Sequence, residues 1–266
     1  MTPWVLITGG GLRLGREFCL AFARAGWNVA CHYRHSADAA TATCAELRAL
    51  GVQAVALQAD LADRQALPGL LDAFTAATAT LPTALVNSAS TFEPDSAQDF
   101  HQDWAKVDHQ LHTNTLAPLA LASEWAHRLA QTPLQGSHNH SPVAIHVLDQ
   151  KVHNLNPDYF SYTLSKLALE RAVALQAQAL APALRVVGIS PGLMYPSGPQ
   201  SDANYQNAAR VNLLRRPLEA ADVARSGVFL AENPAITGCT LNVDNGQHLV
   251  PLARDVMFLA GDAPAT

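Results

Sequence analysis

Charge is scarce in this 266-residue chain: Asp, Glu, Lys and Arg together make up only 15% of it. The net charge is −5, and no basic run is interleaved with aromatics, so a nucleic-acid partner is not expected. Cysteine is limited to Cys19, Cys31, Cys44 and Cys239, with no CxxC spacing. That argues against a disulfide framework or a thiolate metal site and leaves reduced, buried thiols in a cytoplasmic protein as the expectation. No apolar run approaches the roughly 18 residues needed to span a bilayer, so no membrane role is expected. The first strand is reached by Trp4, so no signal peptide is expected. Linkers, repeats and low-complexity segments are also lacking, and one domain over residues 1–266 is the expectation. His138–Asn139–His140 has no third ligand at useful spacing and reads as a solvated loop rather than a metal site. His109 and His112 share a helix face and read as surface or subunit-contact residues.

What the chain does have is apolar residues, 49% of the total, enough for a sizeable core. Trp4–Val5–Leu6–Ile7 reads as a buried strand, followed at once by Thr8–Gly9–Gly10–Gly11–Leu12–Arg13–Leu14–Gly15. Leu14, Phe18 and Phe22 then share one face of a helix. Strand, glycine-rich turn and helix form a dinucleotide-binding pattern, in which backbone N–H groups and a helix N-terminus meet a pyrophosphate. Further strands are expected from Trp27 to Tyr33, Gln53 to Gln58, Thr83 to Val86, Val143 to Leu148, Ala183 to Ile189 and Thr240 to Val243. Helices are expected from Ala37 to Leu50, Leu67 to Ala79, about Phe100 to Gln131 with a kink at Pro118, and Ala220 to Ala231. Alternation of this kind predicts an α/β fold of Rossmann type, a doubly wound parallel sheet with helices on both faces. Residues 193–209, polar and rich in Pro and Gly, read as a substrate loop or a short-helix lid.

At the end of the second strand an acidic residue would bond a free ribose and favour NAD. This chain has His32–Tyr33–Arg34–His35–Ser36 and no acid until Asp38. Arg34, Ser36 and Arg13 could instead surround a 2′-phosphate, which favours NADP(H). The plainer alternative is that Arg34 is a solvated residue at a strand end.

The stretch Asp149–Lys166 is the chemical centre. Asp149 ends a buried strand, and Tyr162 and Lys166 lie four residues apart on one expected helix face. A lysine near a tyrosine is expected to lower the phenol's pKa, making it a usable proton donor and acceptor.

Taken in order, these segments resemble the short-chain dehydrogenase/reductase family from Val5 to about Gly246. The glycine turn is similar to that family's TGxxxGxG, and Asn87–Ser88–Ala89–Ser90 resembles its NNAG. The departures, Arg13 for a glycine, Asp149 for a serine and Ser90–Thr91–Phe92 after Asn87–Ser88–Ala89, resemble the pteridine reductase-like branch. So does His32–Tyr33–Arg34–His35–Ser36–Ala37. The resemblance implies catalytic roles for Asp149, Tyr162 and Lys166. It also implies NADP(H) contacts from Gly9, Arg13, Leu14, His32, Tyr33, Arg34, Ser36, Asp60, Leu61, Asn87, Ser88, Ala89, Asn114, Tyr162, Lys166, Pro191 and Gly192. Ser90, Phe92, Asp149, Tyr162 and Leu193 would face a small-molecule pterin-like substrate, in a cytoplasmic homo-oligomer, by resemblance a homotetramer.

The residues support that choice by their chemistry. A carboxylate beside a developing alkoxide is a poor arrangement for ketone reduction. A pterin C=N gains a proton on nitrogen as hydride reaches carbon, which a carboxyl group can supply or relay. Phe92 could stack on a flat pterin, or be a plain core aromatic. Asp149 could instead cap a helix or pair with Lys151 in an inactive relative. The competing functions are a carbonyl reductase acting on a 3-oxoacyl or other ketone and a regulatory protein that binds NADPH without turnover.

Overall fold

In the computed structural model, residues 2–131, 141–198 and 200–259 are described; His138–Asn139–His140 lies outside them. Strands β1 (Trp4–Thr8), β2 (Asn28–Tyr33), β3 (Ala54–Gln58), β4 (Ala84–Asn87), β5 (Val143–Val147), β6 (Arg185–Pro191) and β7 (Thr240–Val243) form one sheet. Its order is β3-β2-β1-β4-β5-β6-β7, and every pairing is parallel. The doubly wound Rossmann-type fold expected from the strand–helix alternation is therefore the one observed.

Side chains of a strand alternate between faces, and here both faces are covered, so β1 and β5 are buried throughout. Val5 and Ile7 point to one core, built with Phe18 and Phe22 of α1 (Arg13–Arg24), Leu47 of α2 (Ala37–Ala49) and Val223 of α8 (Ala220–Glu232). Trp4 and Leu6 point to the other, with Phe74 of α3 (Ala66–Thr78), Trp125 of α5 (Ala117–Gln131) and Val173 of α6 (Phe160–Leu180). The remaining helices are α4 (Trp104–Leu111), α7 (Asp202–Ala208) inside the expected lid region, and α9 (Val256–Leu259). Among the described residues no helix is long and apolar enough to cross a membrane. Cys19, Cys31 and Cys44 are buried free thiols, and Cys239 is exposed.

The long helix expected from Phe100 begins only at Trp104, where Asp103 caps it by accepting a hydrogen bond from the Lys106 N–H at 3.0 Å. It is interrupted by a π turn, His112–Leu116, in which the Ala117 N–H donates to the His112 carbonyl. The irregularity thus falls before Pro118 rather than on it. Proline supplies no N–H for the carbonyl one turn back, and a widened turn accommodates that loss. The π turn carries Asn114 and Thr115, both buried.

Strands β2 and β4 flank β1, so the chain reverses its winding direction beside β1. The crevice beyond the carboxyl ends of β1 and β4 is where such sheets bind ligands. Thr8 closes its floor: its hydroxyl accepts from the Ser88 and Ala89 N–H groups, both at 3.0 Å. The glycine turn is held close. A Cβ on Gly15 would lie 2.1 Å from the Gly9 carbonyl oxygen, far inside contact distance. We predict that Gly15→Ala lowers the unfolding free energy by about 3 kcal/mol, as overpacking does, read by urea denaturation. Unchanged stability would mean that the turn can open enough to admit a methyl group.

Candidate active site

A cleft of about 700 Å3 runs from the carboxyl end of β2 across the glycine turn to the start of α6. Nearly all the residues singled out in the sequence line it: Gly9, Arg13, Leu14, His32, Tyr33, Arg34, Ser36, Asp60, Leu61, Ser88, Ala89, Ser90, Phe92, Asp149, Tyr162, Lys166, Pro191, Gly192 and Leu193. Asn87 and Asn114 do not. Asn87 is buried behind the wall, its amide nitrogen 3.1 Å from His146 Nδ1. Asn114 is also buried, and its oxygen accepts from the Thr91 N–H at 2.8 Å. Its amide nitrogen donates to the Thr91 carbonyl at 2.9 Å and to Ser165 Oγ at 3.0 Å. Asn114 therefore positions the Ser90–Thr91 loop against α6 rather than facing the cleft.

At the β2 end, His32 holds the turn. Its Nδ1 accepts from the Gly9 N–H at 3.2 Å, and its Nε2 lies 3.1 Å from the Ala59 carbonyl. Burial brings the ring's pKa down to about 4, so it is a neutral strut. Arg34 Nε and Asp60 Oδ2 form an ion pair at 3.0 Å, with both side chains more than a third exposed. An exposed pair of this kind is weak and exchangeable. Arg13 occupies the left-handed region at φ 49°, a strain on the order of 1 kcal/mol for a residue with a Cβ. Its guanidinium donates to the Pro196 carbonyl at 3.1 Å and lies over the Tyr195 ring at 4.9 Å. The glycine turn is thus tied to the lid region.

At the other end, the Tyr162 hydroxyl donates to Asp149 Oδ2 at 2.8 Å. Asp149 Oδ1 accepts from the Lys151 N–H at 2.9 Å, capping the short 3-10 turn Gln150–Val152. The capping role therefore exists, but on one oxygen only; the other serves the phenol. The backbone is pinned as well, with Ser190 Oγ donating to the Asp149 carbonyl at 2.6 Å. Lys166 Nζ donates to the Val147 carbonyl at 2.8 Å and lies over the Tyr162 ring at 5.7 Å. Burial dominates the electrostatics here. It raises the Asp149 carboxyl above its ordinary range and brings Lys166 down to about 8. Burial and the Asp149 charge push Tyr162 well above its usual value. The sequence leads one to expect Lys166 to lower the phenol's pKa. Here the opposite holds, because the hydroxyl faces a carboxylate in a dry site.

Phe92 stacks on Tyr159 with ring centroids 4.0 Å apart and meets Tyr162 edge-on at 4.7 Å. At 38% exposure it belongs to the cleft wall rather than the core. The cleft also draws on Lys151, on Met194 and Tyr195 of the expected substrate loop, and on three residues that the sequence did not flag: Gln247, Asp255 and Val256. Lys151 does form an ion pair, but with Asp255 at 3.1 Å rather than with Asp149. Among the described residues, no three His, Cys, Asp or Glu side chains gather as a metal site.

Residues 13–248 match the family model described as enoyl-(acyl carrier protein) reductase. Solved structures of the FolM alternative dihydrofolate reductase 1 from Brucella canis and Brucella suis, both complexed with NADP, are 32% identical with a TM-score of 0.81. The matches cover 93% of this chain and 94% and 95% of theirs. The chain belongs to the short-chain dehydrogenase/reductase family. Pteridine reductase 1 of Leishmania tarentolae is 28% identical, covering 93% of this chain and 96% of its own. The 3-oxoacyl-[acyl-carrier-protein] reductase FabG of Staphylococcus aureus is 25% identical, covering 94% and 99%. Within the family the chain is pteridine reductase-like, and it is an NADP(H)-dependent oxidoreductase. The cleft fits that cofactor by its own geometry. Backbone at Gly9 packs so closely that a Cβ there would come within 3.1 Å of Ala89 Cα, so no side chain at that point holds a pyrophosphate away from the turn.

Two buried histidines give a pH signature to this short-chain reductase. His32 and His146 are each held down to about 4 by burial, against about 6.5 when unfolded. A group with a depressed folded pKa stabilises above its unfolded value, and that contribution is lost as pH falls toward the folded one. Stability should therefore drop between about pH 6.5 and 4, by up to about 3 kcal/mol per histidine. The raised Asp149 opposes this in sign. Urea midpoints for the wild type and His146→Gln should show a shallower acid decline in the variant; identical slopes would remove His146 as a contributor.

Proposed function

We propose that this protein reduces the C=N bond of a dihydropterin, a class that includes dihydrofolate, with protonation through Tyr162 and Asp149. The observation that carries the reading is the 2.8 Å hydrogen bond from the Tyr162 hydroxyl to a buried carboxylate. NADPH supplies the hydride. Its pyrophosphate would lie against the Gly9–Gly15 turn, its 2′-phosphate against Arg34 and Ser36, and its adenine near Asp60 and Leu61. Ser88, Ala89, Pro191 and Gly192 would border the nicotinamide, with Lys166 on the ribose. Arg34 can leave Asp60 for a phosphate because their present pairing is exposed.

The chain's own residues set the protonation. Burial and the Asp149 charge keep Tyr162 a neutral phenol, and burial raises the proton affinity of Asp149, so the hydrogen-bonded pair holds a transferable proton beside the cleft. A pterin ring nitrogen that becomes basic on reduction can take that proton. A ketone would instead develop an alkoxide next to a carboxyl group, which is a worse match. Phe92, backed by Tyr159, offers an aromatic wall for a flat ring. The dihydrofolate reductase and pteridine reductase relatives support this reading. The 3-oxoacyl reductase relative favours a second one, reduction of an acyl carrier protein-linked ketone. The reading also carries a single domain over residues 1–266, a cytoplasmic location and a homotetramer, the last checked by light scattering.

Asp149→Asn keeps the shape and the hydrogen bond but holds no transferable proton. Turnover of dihydropterin should fall about 100-fold or more, with NADPH binding nearly unchanged. Wild-type activity should decline as pH rises through the pKa of the donor. A panel of dihydrobiopterin, dihydrofolate and 3-oxoacyl substrates separates the two readings, and wild-type rates in Asp149→Asn would sink the proton role. For the cofactor end, Arg34→Asp should weaken NADPH binding by about 10- to 100-fold and leave NADH nearly unaffected. Equal losses for both cofactors, measured by fluorescence titration, would remove Arg34 from the 2′-phosphate.

A further inference from the structure

The segment Arg254–Leu259 is more than a chain end lying against the cleft. Asp255 and Val256 form part of the cleft wall, beside Asp149, Tyr162 and Lys151. Three kinds of contact hold the segment to the loop before α6. The Arg254 guanidinium pairs with Asp158 at 2.8 Å, and the Asp255 N–H donates to the same carboxylate at 2.6 Å. The Tyr159 hydroxyl donates to Met257 Sδ at 3.1 Å, with Phe258 stacked beyond it. Lys151 Nζ reaches Asp255 Oδ2 at 3.1 Å and Asn156 Oδ1 at 2.6 Å. Only the last of these places full charges inside the cleft wall: the side chains are 3% and 15% exposed. The Arg34–Asp60 pair at the opposite end is exposed and exchangeable, so the two ion pairs are not equivalent.

We propose that the Lys151–Asp255 ion pair is a positioning device: it fastens the C-terminal segment over the substrate end of the cleft and balances the charge felt by Asp149 and Tyr162. The name "substrate end" rests on the pterin reading; the fastening and the charge balance do not. Lys151 is well placed for both tasks. Its N–H caps Asp149 Oδ1 while its ammonium holds Asp255, so one residue links the reacting carboxyl to the segment. The charged and titratable groups facing Asp149 are Tyr162 and Lys166 from α6, Lys151 from the 3-10 turn and Asp255 from the segment, with Asp158 and Arg254 paired outside them. Lys151 favours the ionised form of Asp149, and Asp255 opposes it. As a pair they act on Asp149 with opposite signs. Separated, they pull the site in opposite directions.

That opposition is the test. The variants are Lys151→Met, Asp255→Asn, the double variant, and Lys151→Arg as the conservative replacement. Amide exchange of residues 256–259 in the NADPH-bound protein reads the fastening. The Tyr162 13Cζ shift in tyrosine-labelled protein, assigned with Tyr162→Phe, reads the titration of Asp149 beside it. Exchange at 256–259 should accelerate at least tenfold in Lys151→Met, Asp255→Asn and the double variant, and stay near wild type in Lys151→Arg. The titration midpoint should fall by about one unit in Asp255→Asn, which leaves an unbalanced cation, and rise by about one unit in Lys151→Met. The double variant should return it to near the wild-type value, and because it leaves no orphaned charge it serves if a single variant fails to fold. With dihydropterin, KM should rise more than kcat falls. Unaltered exchange in the double variant overturns the fastening, and a midpoint moving the same way in both single variants overturns the charge balance. Neither readout contains a substrate, so failure to reduce any pterin would sink the functional reading and still leave this proposal decided.

Discussion

The hydrogen bond between Tyr162 and Asp149 joins the end of β5 to the start of α6, and it depends on distant parts of the chain that pin each of them. Asp149 follows β5, where the Leu148 N–H donates to the Ile189 carbonyl at 2.7 Å and Ser190 locks the next carbonyl. Tyr162 rides the first turn of α6, which Asp95 caps through the Ser161 N–H at 3.1 Å. The middle of that turn is held from behind by the π turn: Asn114 reaches Ser165 Oγ and Thr115 Oγ1 donates to the Ser165 carbonyl at 2.8 Å. An irregular helix therefore has a purpose in this fold. It turns two polar side chains inward at a depth where a regular helix would bury apolar ones.

Desolvation decides what this site can do. In water a tyrosine, a lysine and an aspartate would be, respectively, neutral, cationic and anionic at neutral pH. Here the same burial that aligns them moves the carboxyl up, the ammonium down and the phenol further up. Each shift reduces the charge that the dry wall must carry. The result is a proton held between two oxygens, at the end of a cleft whose other end keeps its charges exposed and exchangeable. The proposed protonation of a substrate nitrogen rests on this arrangement.

The local features were legible in the chain. Strand alternation, the Thr8–Gly15 turn, the missing acid after β2 and the four-residue spacing of Tyr162 and Lys166 depend on near neighbours and on helical or extended geometry, so they can be read in order. Most of the cleft residues singled out in this way do meet in space. Asn87 and Asn114 stand behind the cleft wall, which the sequence alone does not decide, because a polar residue beside a site looks the same whether it faces the ligand or braces the wall. Asp255 and Gln247 carried no signal, since nothing in their own neighbourhoods marks them as partners of Lys151 and of the Leu193 N–H.

By itself, then, the sequence determined the order of strands and helices, the conformation-demanding glycines and the types of side chain available for chemistry. Tertiary structure decided which carboxylate Lys151 would pair with, which oxygen of Asp149 would serve the phenol and where the irregularity before Pro118 would fall. It also reversed the direction in which the Tyr162 pKa moves. The physical reason is the same in each case. Propensity and periodicity act over a few residues, whereas desolvation and ion pairing depend on what other parts of the chain bring to within a few ångströms.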